Sequence, residues 1–260
     1  MNASNFVNEL PLGLLYIITA AIVLLSIELG WRLGNYRRHH AEEENKAPVS
    51  GAVGATLGLL AFLLAFTFGM AGSRFDNRKQ NVLQEANAIG TTYLRADLLP
   101  EGPRNQVRSL LREYTALRAE GAASIMSLQG MANTSALHDR LWALAATAGT
   151  QSNSISTGLF IQSLNELIDL DAVRVTALRN QIPDSIWLML FVVTIFAMTA
   201  MGYEFGLTGA RSWAVTLLLV IVFTTVITLI ADLDRPQQGL VRVSQQPLID
   251  LLNKIGTPAP

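Results

Sequence analysis

Carboxylates, serines and threonines are plentiful in this chain, but they do not occur in a pattern typical of acid–base, nucleophilic or metal chemistry. The sequence has no cysteine, which excludes disulfides, thiolate metal sites, iron–sulfur clusters and cysteine nucleophiles. Its three histidines are His39, His40 and His138, and an adjacent pair with one distant residue does not form a metal-ligand set. No G-x-S-x-G elbow is present, and no histidine lies near a plausible nucleophile. The sequence therefore predicts no enzyme, no metal site and no other cofactor.

One acidic residue, Glu28, ends an apolar run long enough to enter a membrane. Arg32 follows four residues later, on the same face of a helix. An ionisable group inside a bilayer is by default a candidate functional residue. The other interpretation is an ion pair at the membrane interface that anchors the helix end. We predict a membrane ion pair between Glu28 and Arg32, and the anchoring role is favoured.

Small residues recur at spacings of three and four along a second uncharged run: Gly54, Gly58, Ala61, Ala65, Gly69 and Gly72. In lipid, such a face lets helices pack by close backbone approach. A neighbouring face carries Leu59, Phe62 and Phe66. The helix could pack through its small residues with the phenylalanines in lipid. Alternatively, a ring of such helices could point the phenylalanines into a narrow apolar constriction, which gates ions by excluding water. Periodicity leaves both arrangements open.

Four uncharged runs determine the class of protein. They lie between Glu9 and Glu28, Lys46 and Arg74, Asp184 and Glu204, and Arg211 and Asp232. At a rise of about 1.5 Å per residue, about 20 residues cross the hydrocarbon core, and each run is close to or above that length. The composition agrees, because 50% of the 260 residues are hydrophobic and only 15% are charged. We predict an all-α membrane protein with four transmembrane helices.

The segment between the second and third runs is different in character. Its charges are nearly balanced, its apolar residues recur at helical spacing, and no alternating strand pattern is present. We predict a helical domain outside the membrane at residues 74–182. The first two transmembrane helices and their loop then occupy 1–73, the other two occupy 183–232, and a C-terminal tail occupies 233–260.

Charge limits the partners and suggests the orientation. The formal net charge is −1, so no overall basic field is available and nucleic acid is not an expected partner. Four spans place both termini and the helical domain on one side of the membrane. Basic residues near span ends are more numerous on that side, which favours a cytoplasmic location by the positive-inside rule.

Several short motifs are similar to one known family. The run AFLLAF at 61–66 resembles the small-Phe-x-x-small-Phe pattern of the bestrophin pore helix. SRFDNRK at 73–79 is similar to the stretch that follows the bestrophin neck. NVLQEANAIGTTYLRADLLP at 81–100 and DLDRP at 232–236 resemble a bacterial family described as bestrophin-like. The resemblance covers most of the chain, with its elements in the same order.

The resemblance implies a homo-oligomeric channel for small inorganic ions, which is a pentamer in bestrophins, and a location in a bacterial inner membrane. It places Gly58, Phe62 and Phe66 on the positions that line a hydrophobic neck, and Leu59 shares their face. Bestrophins have a larger residue where Gly58 stands. The calcium clasp of animal bestrophins has no counterpart, since Asp232 and Asp234 are only two carboxylates after the fourth span.

A different class of function is also compatible with these features. The chain could be a membrane-anchored helical scaffold or sensor that binds a partner and has no pore. The two functions differ in whether the phenylalanines of the second span face a symmetry axis or lipid. Either way the bilayer is a partner, and the channel hypothesis adds further copies of the chain and ions.

Overall fold

The computed structural model describes residues 10–40, 46–151, 154–209, 211–236 and 239–256. The regular secondary structure within these ranges is helical and contains no strand, which confirms the predicted all-α class. A short 3-10 turn, Ala96–Leu98, follows the second helix. The helices are α1 Leu12–His40, α2 Lys46–Arg95, α3 Glu101–Ala119, α4 Ala122–Ile125, α5 Leu128–Gln151, α6 Ile155–Arg179, α7 Asp184–Thr208, α8 Trp213–Asp234 and α9 Gln246–Gly256.

Local sequence accounts for where several helices begin and end. Ser154 caps α6, and its hydroxyl accepts a hydrogen bond from the Thr157 backbone N–H at 3.2 Å. Ser212 caps α8 in the same manner. α7 ends at Gly209, which has a φ of 72°. Such a left-handed residue terminates a helix at little cost only when it is glycine.

The chain forms two compact units. The first, called here the membrane unit, contains α1, α7, α8 and the part of α2 up to Ser73. The second, called the helical domain, contains the rest of α2, the helices α3 to α6, and α9. α9 comes from the segment predicted as a C-terminal tail, and its Leu248 and Ile255 are buried in the core of the helical domain.

Four helical segments are long and apolar enough to cross a membrane: Leu12–His40, Pro48–Leu98, Ile155–Thr208 and Trp213–Asp234. The second comprises α2 from Pro48 onward together with the 3-10 turn that follows it. The third comprises α6 and α7, of which α7 is the more apolar. All four predicted spans are therefore present as helices. Helices suit this environment because they satisfy their own backbone hydrogen bonds where no water is available.

The closest helix packing in the membrane unit joins α1 to α7 through glycines. Two glycines spaced four residues apart lie on each helix: Gly30, Gly34, Gly202 and Gly206. A Cβ atom at Gly30 would overlap the carbonyl oxygen of Thr199, and one at Gly202 would overlap that of Ile27. Main chain thus meets main chain, as in small-residue packing of membrane helices. Both G-x-x-x-G patterns are visible in the sequence, but the sequence analysis predicts small-residue packing on the second span instead.

We predict that Gly30→Ala destabilises the membrane unit, although alanine is the better helix former. The added methyl group must displace the backbone of α7, and overpacking of this kind costs about 1–3 kcal/mol. Gly13→Ala is the matched control on the same helix, because a Cβ atom there meets nothing within 4 Å. Thermal unfolding of the detergent-solubilised protein measures the difference. Equal melting temperatures for the two variants would contradict the close contact.

The helical domain has a buried charged network inside its apolar core. Glu85 of α2 is its centre, with a side chain that is 0% exposed. Its Oε1 accepts hydrogen bonds from Arg118 Nε at 2.6 Å and from the Tyr114 hydroxyl at 2.9 Å, and its Oε2 pairs with Arg174. Arg118 also pairs with Asp171, at 2.7 Å. The network therefore ties α2 to α3 and α6.

Burial and neighbouring charges shift the pKa values of Tyr114 and Arg118 in this network. Burial, followed by the negative charge of Glu85, raises the pKa of Tyr114 well above its ordinary value, so the phenol remains a donor. Burial by itself lowers the pKa of Arg118, but Tyr114, Glu85 and Asp171 raise this pKa by a larger amount. The net pKa of Arg118 therefore lies above its ordinary value. The guanidinium is therefore charged at every pH at which the protein is folded.

We predict that Glu85→Gln destabilises the helical domain by about 3–5 kcal/mol, because two buried guanidinium groups lose their shared counter-charge. The matched control is Asp97→Asn, which removes the 2.6 Å ion pair between Asp97 and Arg108. The Asp97 side chain is 45% exposed. An exposed pair contributes about 0–1 kcal/mol. Chemical denaturation of the full chain, followed by circular dichroism, compares the two. Similar shifts would argue against a structural role for the network.

Candidate functional site

The membrane part of α2 uses an aliphatic stripe to pack within its own chain. Its buried residues recur at spacings of three, four and seven and therefore share one face: Val53, Leu60, Leu64, Thr67 and Ala71. Leu60, Leu64 and Ala71 join the apolar core of the membrane unit. The Thr67 hydroxyl donates to the Leu63 carbonyl at 2.7 Å, so its polar group is satisfied within the helix. This stripe was not singled out from the sequence, because aliphatic residues surround the whole helix.

The two phenylalanines lie on the other side of the helix. Successive residues are rotated by about 100°, which places Phe62 almost directly opposite Leu60 and Ala71. Phe62 is 66% exposed and Phe66 is 58% exposed. Their rings stack with centroids 6.4 Å apart and planes inclined by 18°. Both rings therefore point away from the contacts that α2 makes with its own chain.

The four candidate pore-lining residues lie together on this exposed side. Leu59 is 51% exposed, and a Cβ atom added at Gly58 would meet nothing within 4 Å. None of the four side chains is charged. The surface that Gly58, Leu59, Phe62 and Phe66 form is apolar along about two helical turns.

The small residues predicted to pack helices are also turned away from the chain. Gly54, Ala61, Ala65 and Gly69 are exposed, and Gly72 is half-buried. A Cβ atom at any of these three glycines would have no neighbour within 4 Å. They do not mediate helix packing within the chain, in contrast to the glycines of α1 and α7. This surface is available for a helix of another molecule.

Glu28 and Arg32 are brought together at 2.9 Å, and a third residue joins them. Arg211 Nη2 lies 2.9 Å from the other carboxylate oxygen of Glu28. The Arg211 guanidinium also lies over the rings of Trp31 at 4.4 Å and Trp213 at 4.3 Å. Cation–π contacts of this kind stabilise a charge among aromatic side chains.

Both oxygens of the Glu28 carboxylate are engaged by guanidinium groups, so the geometry favours an anchoring role over ion binding. The sequence analysis does not place Arg211 in this ion pair. No spacing signal was available, since it lies 183 residues from Glu28 along the chain.

The two carboxylates of the DLDRP motif bind main-chain N–H groups. Asp232 accepts from Leu240 at 2.8 Å and from Val241 at 3.1 Å. Asp234 accepts from the Ile182 N–H through both oxygens, at 2.9 and 3.1 Å. These bonds join the end of α8 to the segments before α7 and after α8. Among the described residues, no group of three or more His, Cys, Asp or Glu is placed to hold a metal ion.

Comparison with known proteins gives one family and one fold. Residues 20–248 match the family described as the Bestrophin-like domain. Two crystal structures of a bacterial bestrophin homologue from Klebsiella pneumoniae, each with a different single mutation, are similar at 17% sequence identity. The first aligns with a TM-score of 0.64 over 92% of this chain and 96% of that one. The second gives 0.62 over 92% and 95%. The comparison with curated proteins gave no match.

Proposed function

This chain belongs to the bestrophin-like family, and on that premise we propose that it assembles into a homo-oligomeric ion channel. The assembly is a pentamer about an axis normal to the membrane, and it conducts small inorganic ions. The apolar face of α2 that contains Phe62 and Phe66 lines its neck. No chemical step is assigned to any residue.

The observation that carries this proposal is the direction of the phenylalanine face. α2 packs on its own chain through one stripe and leaves two large aromatic rings exposed on the opposite side. In a ring of identical helices, that opposite side is the one that can face a common axis. Identical contacts between neighbouring copies normally produce closed rings of this kind.

The small-residue face supports the same arrangement. Ala61 lies about 100° from Phe62 around the helix, which directs the small face sideways when the phenylalanines point inward. Small residues allow the helix of a neighbouring copy to approach closely. Phe62 and Phe66 would then form two apolar girdles about 6 Å apart along the pore. An ion crossing them loses hydration with little compensation, so the resting channel conducts weakly or needs a signal to open.

The proposed location is a bacterial inner membrane, with both termini and the helical domain in the cytoplasm. The excess of basic residues near span ends on the side of the helical domain supports this orientation. The proposed division of the chain keeps 74–182 as the extramembrane domain between two pairs of spans. A scaffold or sensor without a pore is the competing function, and the experiments below distinguish it.

We predict that Ala61→Leu weakens assembly more than Ala21→Leu. Both alanines are exposed, Ala61 on the small-residue face of α2 and Ala21 on α1. The larger side chain at Ala61 separates the backbones of neighbouring α2 helices that must approach closely, whereas Ala21 lies outside α2. Native mass spectrometry in mild detergent gives the fraction of oligomer for each variant. A wild-type protein that is monomeric throughout, or equal losses in the two variants, would refute the packing role.

We predict that Phe62→Ala combined with Phe66→Ala raises single-channel conductance severalfold in planar bilayers, because a wider passage admits water. The matched control removes two other exposed rings, Phe68 at 42% and Phe196 at 68% exposure, which lie outside the phenylalanine face. The control should conduct like wild type. Oligomer size is measured for every variant, so that loss of assembly is not mistaken for loss of current.

The scaffold hypothesis makes a different prediction for the same recordings. If the rings face lipid, neither double variant alters the current, since no side chain touches an ion path. The neck assignment is refuted if the Phe62→Ala and Phe66→Ala variant assembles normally and conducts like wild type. It is also refuted if the protein never conducts.

A further inference from the structure

The helical domain contains a cavity of about 380 Å³ between α3, α4, α5 and α6. Its volume lies in the range of small-molecule sites, about 300–1,000 Å³. Four of its lining residues are titratable: Arg118, His138, Asp171 and Arg179. The proposed channel function makes no use of them.

Two buried nitrogen atoms of residues that line this cavity have no hydrogen-bond partner among the described residues. They are Nη2 of Arg118 and Nε2 of His138. The Arg118 side chain is only 1% exposed, and its other two nitrogens pair with Glu85 and Asp171. Leaving a buried donor without a partner costs about 1–3 kcal/mol, more for a charged group. A structure that retains such donors beside a cavity is suited to an acceptor that enters it.

Charge favours an anion as that acceptor. The lining holds two guanidinium groups, Arg118 and Arg179, and one carboxylate, Asp171. Burial lowers the pKa of His138, so the imidazole is neutral at pH 7 and adds no charge. The lining charge is therefore +1, from two positive groups and one negative group. Arg179 is exposed, and one of its nitrogens, Nη2, donates to the Met131 sulfur at 3.6 Å, which leaves most of its donors for a ligand.

Apolar side chains complete the cavity. Ile125, Met131 and Val175 also line it, and Ile125 is only 2% exposed. A fully hydrated inorganic anion would gain nothing from these contacts. An anion with a small apolar body would bury that body against them while its charged group meets the guanidinium groups.

We propose that this cavity binds a small organic carboxylate, held by Arg118 and Arg179 at its charged end and by Ile125, Met131 and Val175 at its apolar end. Carboxylates accept hydrogen bonds from guanidinium groups in the shorter, charge-assisted geometry. His138 supplies a further donor in the tautomer that carries the proton on Nε2. This inference stands independently of the channel assignment, since it concerns residues of the helical domain alone.

The test uses the full-length protein in detergent and 4-fluorobenzoate as the probe, with binding followed by the broadening of its fluorine NMR signal. We expect saturable binding of 4-fluorobenzoate and much weaker binding of 4-fluorobenzyl alcohol, which has the same ring and no charge. Inorganic phosphate should not displace the probe at equal concentration. Displacement by phosphate, or equal binding of the alcohol, would overturn the assignment of a carboxylate.

Two variants locate the site without removing a residue of the Glu85 network. Arg179→Gln should weaken binding about tenfold, the loss expected for one charge-assisted hydrogen bond. Ser135→Trp places an indole in the cavity and should abolish binding. Arg140→Gln is the matched control, because Arg140 is exposed on α5 and lines a separate cavity with Gln106 and Thr147. Retained binding in Ser135→Trp, or equal weakening by Arg140→Gln and Arg179→Gln, would show that the probe binds elsewhere.

Discussion

The lack of water in a bilayer core is the constraint on which the rest of this structure depends. Backbone N–H and C=O groups there must pair within the segment, so each of the four spans is a helix. Once the spans are helices, hydrophobicity no longer drives them together, because lipid is as apolar as their side chains. Contact must come from close backbone approach. α1 and α7 achieve it through Gly30, Gly34, Gly202 and Gly206, where no Cβ atom could be accommodated.

The helical domain is held together differently. Its apolar core is large enough to bury the Glu85 network, which joins α2 to α3 and α6. Such a network adds little net stability over an apolar core, yet breaking it is costly. It attaches α3 and α6 to α2, whose residues belong to both units. Arg118, one of the two arginines that pair with Glu85, also lines the cavity for which we propose a carboxylate ligand.

α2 carries three faces with separate physical roles. An aliphatic face packs on its own chain, a small-residue face is free for a neighbouring molecule, and the face with Phe62 and Phe66 is exposed opposite the first. In the channel that we propose, such a helix would need no charged group to control ions, because a dry apolar constriction opposes their passage. This is consistent with a chain in which neither chemistry nor metal binding could be argued from the residue types.

The sequence by itself determined the spans, the all-helical class and every feature set by local geometry. The Glu28–Arg32 pair follows from a four-residue spacing, and the faces of α2 follow from helical periodicity. Only the tertiary structure decided which elements meet. Arg211 joins Glu28 from 183 residues away, Glu85 collects partners from two other helices, and α9 enters the core of the helical domain. Periodicity describes how one helix exposes its residues, but the choice of partner depends on long-range packing that no local spacing encodes.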